Sequence, residues 1–191
     1  MAIAKAAQIK TGRVVEHISK IFAYGGGLIL SGVAVMTVIS IIGRQVINQP
    51  VPGDYELVAN GVGLAVFGFL PLCQLKRGHV TVDILIGLFP PRAQAFFGFV
   101  GDLLVAIVSL VLLRQLWLGF GEKFPYGSDA LREVLGMGYK PFFPETTYEL
   151  EIPIWLLYGT ALFGAALFAV VSIYTVWRSL NWVLDGQEVQ P

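Results

Sequence analysis

LVANGVGLAVFGFLPLCQL (Leu57–Leu75) runs for 19 residues without a formal charge. Glu56 opens it, and Lys76-Arg77-Gly78-His79-Val80-Thr81-Val82-Asp83 closes it. A stretch of roughly 20 helical residues, rising about 1.5 Å each, crosses the ~30 Å hydrocarbon core of a bilayer. The run therefore reads as one transmembrane helix, and the basic pair at its end marks the side where it stops.

Three further runs have the same character. Ile21–Gly43 is charge-free over 23 residues, Ile152–Trp177 is charge-free throughout, and only Asp102 interrupts Ala93–Leu113. Backbone amides in lipid must be satisfied internally, so each run is predicted to be a helix and the four together a helix bundle. Composition agrees: 55% of the 191 residues are hydrophobic and 14% charged, whereas a soluble domain carries about 25% charged residues. The expected architecture is an all-α membrane protein in one domain over 1–185, with spans at about 21–43, 57–75, 93–113 and 152–177. A polar tail covers 186–191. The first run is too long for the ~7–15-residue core of a secretory signal, so it reads as an uncleaved span.

Lys and Arg near the span ends set the orientation. With the N-terminus in the cytoplasm, that side holds Lys5, Lys10, Arg13, Lys20, Lys76, Arg77, Arg92 and Arg178. The other side holds the smaller set of Arg44, Arg114, Lys123, Arg132 and Lys140. Both termini are thus expected in the cytoplasm. Pro50-Val51-Pro52-Gly53 makes the first outer connection a stiff turn. His79–Pro91 is apolar but too short to cross, which suggests a short interfacial or re-entrant segment at the cytoplasmic surface. Arg114–Glu151 is a long outer loop. Within it Ser128-Asp129 caps a short helix that places Leu131, Val134 and Leu135 on one face and ends at Gly136 or Gly138.

Few residues offer chemistry. Net charge is zero and the basic residues are scattered, so no nucleic-acid footprint exists. The single cysteine, Cys73, has no partner for a disulfide, and neither histidine (His17, His79) lies in a span, so no haem or metal cofactor is expected. Asp102 is tenth of 21 in the third run, near the midplane, where a carboxylate costs about 2.5–3.5 kcal/mol. It serves ion relay or, on the preferred reading, a structural or subunit contact. Alternatively the helix slides outward to about 97–117, lets Arg114 snorkel, and brings Asp102 nearer the inner surface. Asp54 and Glu56 suit a helix N-terminus through its dipole, or make a specific contact. Small residues four apart signal close helix packing: Ala161, Ala165 and Ala169, then Gly27 with Ser31, then Gly61 with Ala65. Four tryptophans near the span ends match aromatic belts.

Glu56-Leu57, then Arg77-Gly78-His79-Val80-Thr81-Val82-Asp83, then Leu150-Glu151-Ile152-Pro153-Ile154-Trp155 before the last span, occur together and in this order. With the span number and direction, this resembles the small membrane subunit of tripartite ATP-independent periplasmic (TRAP) transporters over about residues 15–180. The loop from Arg114 to Glu151 is longer than that family usually has. The resemblance implies a large permease subunit bearing substrate and sodium sites in the bacterial inner membrane. It also implies a periplasmic binding protein that delivers an organic acid, and a small subunit that buttresses the large one. Glu56, Arg77, His79, Asp83 and Asp102 are structural or subunit-interface candidates, with no catalytic, substrate or metal role. The rival reading is a self-sufficient small transporter or channel using Asp102 as its ion site.

Overall fold

The computed structural model describes residues 5–77 and 90–185. These residues form long helices: α1 (Lys5–Val46), α2 (Asp54–Leu75), α3 (Pro91–Lys123), a short α4 (Asp129–Leu135) and α5 (Ile154–Asp185). All but α4 are long and apolar enough to cross a membrane. The expected segment at 79–89 lies outside the described residues.

Each helix boundary has a local cause. Asp54 and Glu56 occupy the first turn of α2, where acidic groups suit the dipole. Gly53 precedes it at φ 70°, a left-handed conformation that favours glycine, and a Cβ there would collide with the Leu150 side chain. Pro90 precedes α3 and Pro91 opens it, at positions needing no backbone donor. Ser128 Oγ accepts the Leu131 amide to cap α4, and Gly136 ends it at φ 62°.

The helices run past the charge-free stretches. The 42 residues of α1 make a rod of about 63 Å, twice the ~30 Å core. Residues 114–123, expected in the outer loop, continue α3, where Trp117, Phe120 and Phe124 form a ladder with Trp155 of α5. The loop proper starts at Phe124.

Packing gives a row rather than the expected bundle. α1 lies on α2, α2 on α5, and α5 on α3, while α1 barely reaches α5. The middle contacts are close because small residues line them. Ala161, Ala165 and Ala169 are buried, and a Cβ on Gly164 would stand 2.6 Å from the Phe67 carbonyl oxygen. On α1 the contact residue is Gly26, whose Cβ would stand 2.9 Å from the Ala65 oxygen. Gly27, named from its spacing to Ser31, faces open space. Lipid tails are as apolar as leucine, so nothing drives these helices to close around one core.

Side-chain contacts set the levels. At one end Val15, Leu75 and Val171 pack together, and Gln74 bonds to Asp102 and Thr175. At the other end Ser40 meets Asp54, and Phe124 meets Trp155. The shared slab therefore holds α2 from about 57 to 75, α3 from about 102 to 122, and α5 from about 155 to 175. It is roughly 30 Å thick. Asp102 sits at one edge of it, the inner edge on the expected orientation, and not at its middle. Beyond that same edge α1 and α5 meet again, where Asn181 donates to Gln8 Oε1.

Candidate functional site

Two polar clusters bracket the slab. The inner one begins with Gln74, in the last turn of α2, placed there between α3 and α5. Its Nε2 donates to Asp102 Oδ1 at 3.1 Å and to Thr175 Oγ1 at 3.0 Å. Arg77 follows α2 in a left-handed conformation (φ 53°), which turns its guanidinium back toward α3. Its Nη2 donates to Asp102 Oδ2 at 2.9 Å. The guanidinium also stacks over Trp182 at 4.7 Å. Arg178 stacks on the same ring at 5.0 Å and donates to the Leu75 carbonyl at 3.1 Å. Asp102 is 6% exposed, Gln74 2% and Thr175 0%, so the carboxylate is held by partners of its own chain. A buried charge is tolerable only when paired and hydrogen-bonded in this way.

Just outside this network Glu16 of α1 binds Lys20 and Lys76, each at 3.0 Å. Those two ammonium groups hold its carboxyl below the usual range.

The outer cluster ties the start of α2 to the approach to α5. The Glu56 carboxylate accepts the amides of Glu149 (2.7 Å) and Leu150 (3.1 Å). In return the Glu149 carboxylate accepts the Gly53 amide. Burial pushes the Glu56 carboxyl up, but these amides and the Thr147 hydroxyl outweigh it and the net direction is down. Asp54 accepts from Ser40 and Arg44 of α1. The Ser40 hydroxyl, ahead of Arg44, keeps the Asp54 carboxyl low against burial. Lys123 pairs with Glu145 at 2.7 Å, and that carboxylate raises its pKa.

Of the residues singled out from sequence, Arg77 and Asp102 meet. Glu56 lies at the other end of α2, about 32 Å away at ~1.5 Å per residue. His79 and Asp83 lie outside the described residues. Among those described, no cluster of His, Cys, Asp and Glu has the makings of a metal site.

Sequence reasoning missed Arg132. The apolar face of α4 points outward, with Val134 84% exposed, while Arg132 is 2% exposed. Its guanidinium donates to the carbonyls of Gly121, Phe124, Tyr126, Met137, Gly138 and Tyr139. The signal available was a lone arginine flanked by turn-forming Gly127, Gly136 and Gly138, whose φ values are all positive. Such tight turns leave carbonyls facing inward, and arginine is the side chain with enough donors to satisfy them.

Among the described residues, the polar groups of both clusters are engaged with one another or with backbone amides and carbonyls. The clusters fix helices to one another. No curated protein and no solved structure matches the chain. The family model for the DctQ component of tripartite ATP-independent periplasmic transporters matches residues 33–181, which include α2, α3, α4 and both polar clusters except Glu16, Lys20 and Trp182. The chain thus belongs to the DctQ family, the small permease component of TRAP transporters.

Proposed function

We propose that the chain is a non-catalytic scaffold subunit of a bacterial inner-membrane TRAP transporter, with both termini cytoplasmic. It supports a large permease subunit that takes up an organic acid coupled to an ion, which is sodium on the family resemblance. A periplasmic binding protein delivers the substrate, and the outer segment 122–145 lies near where that protein docks. The carrying observation is the state of Asp102. The carboxylate best suited to an ion site is already engaged by Gln74 and Arg77. Solute pathways need several convergent polar groups, and this row of helices offers apolar flanks instead.

Reconstitution tests the reading. Vesicles holding this chain, the large permease and the binding protein should accumulate substrate under an ion gradient. Vesicles holding this chain alone should not. Uptake by the chain alone, abolished by Asp102→Asn, would establish the self-sufficient transporter.

A further inference from the structure

Arg114 is the residue that neither polar cluster absorbs. It lies in α3 about 18 Å from the level of Asp102 and about 15 Å from that of Phe124, at ~1.5 Å per residue. Its neighbours confirm that depth: Leu113 lines a cavity with Thr160 and Phe163 of α5, and Leu116 one with Leu157 and Ala161. Arg114 therefore stands near the middle of the slab. It is exposed, on the side of α3 turned away from α5, and no described group pairs with it.

The surface around it is apolar. Leu110 and Val111 are 48% and 54% exposed, and Ile107 and Val108 continue the face one turn earlier. An arginine at this depth against acyl chains is costly, and such residues face protein or water. Snorkelling is poorly placed to relieve it. Helical side chains lean toward the helix N-terminus, which for α3 is the more distant edge of the slab.

We propose that the outward face of α3 around Arg114 docks against the large permease subunit, and that Arg114 there meets a carboxylate buried at the same depth. This rests on the reading that the chain serves such a subunit. The charge selects the occupant. Lipid tails supply no acceptor for a guanidinium. A second, parallel copy would set Arg114 beside Arg114, and Asp102 is buried and already held by Arg77. A carboxylate matches the planar fork of arginine in two parallel bonds, which a lysine cannot reproduce.

The test uses the full chain co-expressed with its large permease. Tagged wild-type chain, Arg114→Leu and Arg114→Lys are compared for recovery of the permease from solubilised membranes. Each is also purified alone for thermal unfolding in micelles. Arg114→Leu should hold the permease roughly 30-fold or more weakly, as expected for breaking a buried interfacial ion pair. Arg114→Lys should restore part of the affinity. Alone, Arg114→Leu should unfold at or above the wild-type temperature, which separates lost docking from lost folding. A photo-crosslinker at Val111 should capture the permease. Equal recovery with Arg114→Leu, or crosslinks only to a second copy of the chain, would overturn the inference. Failure of the wild-type chain to recover any permease would instead overturn the subunit reading on which it rests.

Discussion

Asp102→Asn is the sharpest test of the inner cluster. Asparagine keeps the shape and one acceptor for Gln74, but it removes the charge that faces Arg77 across 2.9 Å. Breaking a fully buried ion pair costs about 3–5 kcal/mol. The Arg77 side chain retains 20% exposure and its stack on Trp182, which lowers the figure. Interhelical polar contacts in membranes set the other bound, averaging about 0.6 kcal/mol with a maximum near 1.7. A loss of about 1.5 kcal/mol lies between them, a little over tenfold in the folding equilibrium. The measurement is a double-mutant cycle with Arg77→Gln, following unfolding in mixed micelles by circular dichroism. Asp102→Asn should be strongly destabilising in the wild-type background and nearly silent beside Arg77→Gln. A coupling below about 0.5 kcal/mol would refute the claim that this pair joins α2 to α3.

Arg132→Ala leaves several inward carbonyls without a donor, at about 1–3 kcal/mol each, so residues 124–139 should become protease-sensitive while the spans stay folded; Arg132→Lys should rescue little. Unchanged cleavage would count against the inward guanidinium. Gly164→Ala sets a methyl 2.6 Å from the Phe67 oxygen and should cost about 1–3 kcal/mol, whereas Gly27→Ala, which meets open space, should stay within about 0.5 kcal/mol. Equal effects on unfolding would contradict the packing register. The outer clasp should also respond to pH. Glu56 and Asp54 both have carboxyls held below their ordinary values of 4.5 and 3.8. Their contribution is thus fully present above about pH 4.5 and fades as acid protonates the folded form. Hydrogen exchange at the Glu149 and Leu150 amides should quicken there, and Glu56→Gln should remove most of that pH dependence.

The number of candidate spans could be read from charge-free runs, because lipid leaves helices as the only open option for the backbone. Ser128 and Gly136 likewise marked the limits of α4, since capping is local chemistry. Depth and partnership were harder. Asp102 looks central when spans are cut at charges, yet α3 continues through Arg114 to Lys123, because an aromatic ladder with α5 holds its outer turns. Gly26 and Gly27 are indistinguishable by spacing, and only the approach of Ala65 decides between them. The inward turn of Arg132 against three apolar neighbours depends on carbonyls supplied by residues on both sides of α4. Periodicity carries no trace of that.

The order of helices in the row has a consequence for biogenesis. α5 stands between α2 and α3, yet the ribosome makes it last. α2 emerges to find α1 ready beside it, but α3 must enter the bilayer before its main neighbour exists. The apolarity of the segments fits this schedule: the best window of α3 has a mean hydropathy of 2.5, against 1.6 for α2. A segment that has to wait alone in lipid needs the greater intrinsic affinity for it. One that is received by a neighbour can carry Asn60, Gln74 and a buried proline.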